Sequence, residues 1–122
     1  MTRHTVIYNR YDIVKVPFPF TDRQANKYRP ALIISSSKLF NNCIGHSVMA
    51  IITSAKHSAW PLDTPINDLD GTGLPVTSII RLKLFTLDHR LIISTLGFLS
   101  DKDKTVFDKN LAALLSNSDE KR

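Results

Sequence analysis

The chain has 122 residues, of which 43% are hydrophobic and 22% charged, a composition typical of one globular domain and not of a disordered chain. Its net charge of +5 is concentrated in residues 1–61, whose balance is +6, and this predicts binding to a polyanion such as RNA or DNA or, alternatively, a solvated surface. Because no apolar run has the roughly 20 residues of a membrane helix and the N-terminus lacks a signal-peptide core, we expect a cytoplasmic protein.

Strand-type patterns dominate the first half of the chain. β-branched residues alternate over residues 11–18, and polar residues over 20–28 predict an exposed loop. Further apolar, β-rich runs predict strands over 31–35 and 48–53, with a short one over 59–62. We expect one domain, residues 1–122, with its core at about 10–115 and a flexible tail at 116–122.

The second half begins with a turn cluster at 67–75, which is followed by predicted strands over 78–85 and 90–97. Ser100 is a candidate helix N-cap with Asp103 at the third helical position. Five apolar residues then recur on one helical face and are expected to be core: Val106, Phe107, Leu111, Leu114 and Leu115. About five strands and a C-terminal helix predict a mainly β fold, a small and partly open barrel with an apolar face for a second copy.

The cysteine and histidine content limits metal chemistry. Cys43 is the single cysteine, so there is no internal disulfide and no multi-cysteine zinc site, and we expect it to be a small buried side chain. The four histidines show no ligand spacing. We therefore expect no metal and no cofactor.

Two stretches suggest a reaction site. Arg29 stands at the mouth of a predicted strand, where its planar guanidinium can bind a phosphate in two places. Thr53 and Ser54 end another strand, where hydroxyls can donate to phosphate oxygens. Together they predict a phosphodiester site that needs no metal, although a surface ion pair and turn hydroxyls are the ordinary roles of such residues.

Several segments in this order resemble the MazF/PemK toxin family. They are Asp-Ile-Val-x-Val-Pro-Phe-Pro-Phe-Thr-Asp (12–22), Arg-Pro-Ala-Leu-Ile-Ile-Ser (29–35), Thr-Ser (53–54), Thr-Leu-Asp (86–88) and Leu-Gly-Phe-Leu-Ser (96–100). The resemblance implies an SH3-like β-barrel of the Kid/CcdB/MazF type with a terminal helix, assembled as a homodimer. It also implies the toxin of a toxin–antitoxin pair, a sequence-specific, metal-independent endoribonuclease that cleaves single-stranded RNA and so inhibits translation and growth, restrained by a cognate antitoxin.

The resemblance also assigns residues. Arg29 matches the family's catalytic arginine and Thr53 its catalytic threonine or serine, with Ser54 beside it. The predicted RNA contacts are Thr21, Asp22, Arg23, Lys27 and Tyr28 in the first loop, together with Lys56, His57 and Arg81. Lys83 occupies a position that is often acidic in the family, which favours Arg29 and Thr53 as the working pair.

Two alternatives remain open at this point. The first is a noncatalytic SH3-like module that binds RNA or protein. The second is a gyrase-poisoning toxin of the same fold, which the polar tail at 116–122 does not favour.

Overall fold

The computed structural model describes residues 6–17, 27–56 and 58–117. Within these ranges six strands form one curled, antiparallel sheet in the order β4-β5-β3-β2-β1-β6. The strands are β1 (Asp12–Pro17), β2 (Tyr28–Ile33), β3 (His46–Ser54), β4 (Thr64–Pro65), β5 (Ser78–Asp88) and β6 (Ser94–Phe98). A π-helical turn (Ser37–Asn41) and a single α-turn, α1 (Asn42–Ile44), join β2 to β3; a 3-10 turn (His89–Leu91) follows β5; and α2 (Asp101–Leu114) is the C-terminal helix. This half-barrel with a terminal helix confirms the predicted fold class.

Alternation along the strands gives the sheet two apolar faces. One face packs against α2 and forms the helix-side cluster: Ile13, Leu32, Ala50, Ile52, Ile66, Leu74, Ile80, Leu99 and Phe107. The other face curls on itself and forms the open-side cluster: Val14, Val16, Ala31, Ile33, Met49, Ile51, Phe85 and Leu87. A position's place in the alternation therefore decides which side of the sheet its side chain reaches.

Several strand boundaries differ from the predictions: β2 covers Tyr28–Ile33 and not 31–35, and β5 extends to Asp88 and not only to 85. Two further differences have a local cause. The strand predicted over 59–62 is wrong, because this segment forms a turn. The backbone N–H of Trp60 donates to Asp63 Oδ2 at 2.8 Å, and the backbone N–H of Asp63 donates to the Trp60 carbonyl at 3.3 Å. The strand predicted from residue 90 begins only at Ser94, because the Asp88 carboxylate accepts from the Arg90 N–H and caps a 3-10 turn.

The N-cap of α2 is confirmed, since Ser100 Oγ accepts from the Asp103 N–H at 3.2 Å. The predicted apolar face is only partly buried. Phe107 is fully buried and Leu111 packs at the edge of the helix-side cluster, whereas Val106, Leu114 and Leu115 are 43%, 42% and 74% exposed. The apolar stripe is wider than the strip of helix that touches the sheet.

Cys43 corrects another expectation: it is exposed, because α1 is a single turn at the surface. The predicted tail at 116–122 lies outside the described residues from residue 118 onwards.

Tyr11 ties the start of β1 to α2. Its hydroxyl donates to the Asp108 carboxylate, at 2.8 Å from Oδ1 and 2.6 Å from Oδ2. Burial and this hydrogen bond raise the pKa of Tyr11 to about 12. Because the folded-state pKa lies above the ordinary value, the bonded phenol stabilises the fold below about pH 10, and that stabilisation is lost as the pH rises to about 12.

We therefore expect one of the three tyrosines to ionise near pH 12 in the folded protein. Phenolate absorbance would be followed in the wild type and in Tyr11→Phe. The high-pH step should disappear in the variant, and a variant that instead loses a step near pH 10 would contradict the assignment.

Candidate active site

Arg29 and Thr53 come together on one face of the sheet. Arg29, in β2, stands opposite Val16 of β1, and β2 pairs with β3 through Ala31 opposite Ile51. Ala31 and Ile51 both belong to the open-side cluster. Because strand side chains alternate with a period of two, Arg29 and Thr53 lie on that same face, each two residues along its strand from this pair. Both residues are partly buried.

Ser54 belongs to the other side of β3. Consecutive strand residues project to opposite faces, and Ser54 pairs with the buried Ser78 of β5. It lines an open cavity of about 310 Å³ together with Ala55, Lys56, Val76 and Thr77. The structure therefore separates the two predicted hydroxyls and leaves Thr53 on the same face as Arg29.

Tyr28 also projects away from Arg29, which follows it in β2. The ring is half exposed, and the Lys15 ammonium lies 5.8 Å from its centre. Lys27 precedes β2 and is exposed, as is Lys56 after β3. The predicted contacts Thr21, Asp22, Arg23 and His57 lie outside the described residues.

Arg81, in β5, is 9% exposed and is held by an ion pair. Its Nε and Nη2 donate to Asp63 Oδ1 at 3.2 Å and Oδ2 at 2.9 Å, and Nη2 also donates to the Ser58 carbonyl. Both side chains of this pair are 11% exposed. Burial alone would raise the pKa of Asp63, but the hydrogen bonds from Arg81 and from the Trp60 N–H outweigh it, and the pKa is lowered. An RNA contact by Arg81 stays a prediction.

The sequence reading missed Asp63 and Trp60. Trp60 is 44% exposed, and its ring centre lies 5.1 Å from Arg81 Cζ. One signal was present in the sequence: Asp63 is the only acidic residue between Asp22 and Asp68. A carboxylate with no acidic neighbour for many residues on the N-terminal side is a candidate partner for a buried cation.

The described residues contain no group of three or more His, Cys, Asp or Glu side chains able to hold a metal ion. No helix among them is both long enough and apolar enough to cross a membrane.

The sequence of this chain matches a known protein family over most of its length. Residues 9–115 match the family described as PemK-like, MazF-like toxin of type II toxin-antitoxin system. The chain belongs to this family. No curated protein sequence matches it. The match spans β1 to the end of α2, so Arg29, Thr53, Ser54 and Arg81 all lie within the PemK/MazF region.

Solved structures of MazF proteins share this fold. An endoribonuclease in complex with its cognate antitoxin from Mycobacterial species is similar with a TM-score of 0.71 at 17% identity, covering 88% of this chain and 94% of that one. MazE-MazF from Deinococcus radiodurans gives 0.70 at 20% identity, covering 93% and 100%. The Mycobacterium tuberculosis toxin MazF-mt6 gives 0.66 at 16%, covering 84% and 93%. At these identities the similarity establishes a MazF-type fold and leaves residue roles to the geometry.

Proposed function

We propose that this PemK/MazF-family chain is a metal-independent endoribonuclease that cleaves single-stranded RNA with Arg29 and Thr53. The observation that supports the proposal is the shared face of these two residues, which follows from the strand alternation around the paired residues Ala31 and Ile51 of the open-side cluster. A guanidinium and a hydroxyl there provide donors for the nonbridging oxygens of one phosphodiester.

In the proposed reaction the ribose 2′-hydroxyl gives its proton to bulk water, and its oxygen forms a bond to the adjacent phosphorus. The bond from phosphorus to the 5′-oxygen breaks, and that oxygen takes a proton from Arg29, which regains one from bulk water. The products are a 2′,3′-cyclic phosphate and a 5′-hydroxyl. The pentacoordinate transition state carries extra negative charge, so donors already in position lower its energy more than that of the ground state.

Arg29 fits the stabilising role because a guanidinium offers a planar set of N–H donors with a positive charge, and such a cation is a poor base. We propose that Arg29 stabilises the negative charge that develops around phosphorus and delivers a proton to the leaving 5′-oxygen. Thr53 orients the phosphate through a nonbridging oxygen. Ser54 acts from the neighbouring cavity with Lys56, where it contacts the RNA chain rather than the same oxygen.

The RNA path follows the positive charge. Lys27 and Lys56 are exposed cations on either side of the Arg29–Thr53 pair along the chain, and phosphate attraction needs no precise geometry. Tyr28 and Arg81 remain proposed RNA contacts, but neither is a free exposed cation like the two lysines. Tyr28 lies on the opposite face of β2 from Arg29, and the Arg81 guanidinium would contact RNA while it stays paired with Asp63.

The partners follow from the same family. Some of the similar structures hold an endoribonuclease with its cognate antitoxin or MazF with MazE, and we propose a cognate antitoxin for this chain as well. We also propose a homodimer, because Val106, Leu114 and Leu115 leave an exposed apolar stripe on α2. Such a complex would act in the cytoplasm, where its mRNA substrate is found.

The test is a cleavage assay in excess EDTA with long single-stranded RNA and analysis of the fragment ends. We expect discrete fragments that end in 2′,3′-cyclic phosphate and begin with a 5′-hydroxyl. Fragments with 5′-phosphates would contradict the mechanism. Intact RNA with a folded protein would favour the noncatalytic binding module, and a supercoiling assay with purified gyrase would then test the remaining alternative.

A further inference from the structure

Trp60 is a large aromatic side chain with an exposed surface. It is 44% exposed, and Tyr28 and Phe98 are the other aromatic side chains exposed to this degree among the described residues. Its indole is stacked over the Arg81 guanidinium, with the ring centre 5.1 Å from Cζ. Neither core cluster includes it, so packing in the core does not explain its position.

The stack is fixed in place by hydrogen bonds. The Trp60 N–H donates to Asp63 Oδ2 at 2.8 Å, and the same carboxylate accepts from two nitrogens of Arg81. The Asp63 N–H returns to the Trp60 carbonyl at 3.3 Å. The backbone N–H of Trp60 and the cation beside its ring therefore share one carboxylate, which fixes the position of the backbone that carries the indole before any ligand arrives.

The stack adjoins the proposed active site. Arg81 stands opposite Ile51, and two residues further along β3 is Thr53. Because the alternation has a period of two, Ile51 and Thr53 project to one face, and Arg81 shares it. Trp60 thus lies next to the face that carries Arg29 and Thr53.

We propose that Trp60 is the stacking platform for an unpaired nucleobase next to the scissile phosphate. This inference rests on the proposed function and adds a residue that positions RNA. A base would lie on the indole, which itself lies on the guanidinium, and aromatic rings bind single-stranded bases in this way. The loop beside Trp60 carries exposed Ser58, Ala59 and Pro61, a small-residue surrounding that suits one flat ring better than an apolar peptide.

The chain's own composition makes the test direct, because Trp60 is its only tryptophan. Intrinsic fluorescence would be followed while a single-stranded oligonucleotide with 2′-O-methyl groups, which block the nucleophile, is added. We expect saturable quenching in the wild type.

Trp60→Leu should raise KM for cleavable RNA about 10- to 100-fold, the range of base–aromatic stacking, with kcat nearly unchanged. Trp60→Phe keeps a ring over Arg81 and should restore most of the affinity.

A matched control is Phe98→Leu, which removes another exposed aromatic ring, 58% exposed. Phe98 stands opposite Asp12, at the end of β1 remote from Val16 and Arg29, and its loss should leave KM unchanged. Cleavage with an unchanged KM in Trp60→Leu, and no quenching in the wild type, would overturn the platform while the endoribonuclease proposal stands. Failure of the wild type to cleave RNA at all would instead overturn the proposed function.

Discussion

Arg29→Ala is expected to slow RNA cleavage by about 10²- to 10³-fold, the usual loss when one preorganised donor to a developing negative charge is removed. The fold should survive, because Arg29 is only partly buried and belongs to neither apolar cluster. Single-turnover cleavage rates with excess enzyme would measure the effect on the chemical step, and circular dichroism would check the fold.

Two further variants separate geometry from charge. Arg29→Lys keeps the positive charge but lacks the planar fork, so it should recover only part of the lost rate. Arg10→Ala removes one positive charge elsewhere, at an exposed arginine that pairs with Asp108 at 3.2 Å, and should cleave like the wild type. Equal losses in Arg29→Ala and Arg10→Ala would reduce the role of Arg29 to general attraction for RNA.

The features that the sequence predicts well are local. β-branched alternation marks β1 and β3, and Ser100 with a following apolar period marks α2, because each pattern depends on neighbours within a few residues. The family motifs also point to Arg29 and Thr53 before any register is known. The pairing of β2 with β3 then explains why two residues so far apart in the chain occupy one face.

Other features depend on contacts between distant residues. The ion pair of Arg81 joins residues 18 positions apart, and no periodicity predicts a side-chain contact of that kind. Thr53 and Ser54 lie on different faces for a simpler reason: adjacent strand residues face opposite ways. The apolar stripe on α2 predicted more core residues than the structure buries. The spacing of apolar residues shows which face of a helix is apolar, but not how much of that face the sheet covers.

Asp63→Ala is expected to lower the free energy of unfolding by about 3–5 kcal/mol, because it leaves the Arg81 guanidinium buried without its partner. Three contacts depend on the turn at Asp63. Its carboxylate pairs with Arg81 and accepts from the backbone N–H of Trp60. The residue after it, Thr64, accepts at Oγ1 from the Asn110 side-chain amide of α2 at 2.8 Å. Urea unfolding of both proteins at neutral pH would give the difference.

The stabilising contribution of Asp63 should decrease in acid. The pKa of Asp63 is lowered in the folded state, so its contribution is present above the ordinary carboxylate pKa and is lost as the pH falls through the lower folded value. The wild type should therefore lose its advantage over Asp63→Ala in acid. A stability difference that stays constant from neutral pH down into that acidic range would contradict the ion pair as its cause.

A double substitution distinguishes the pair from the turn. Arg81→Met combined with Asp63→Ala removes both charges, and without an unpaired buried guanidinium much of the cost of Asp63→Ala is recovered. The double variant should therefore be more stable than Asp63→Ala alone. If it is equally unstable, the loss comes from the broken turn at Trp60 rather than from a stranded guanidinium. With either stability result, the double variant should bind RNA as poorly as Trp60→Leu, because the indole has lost both the cation beside it and the carboxylate that fixes its backbone.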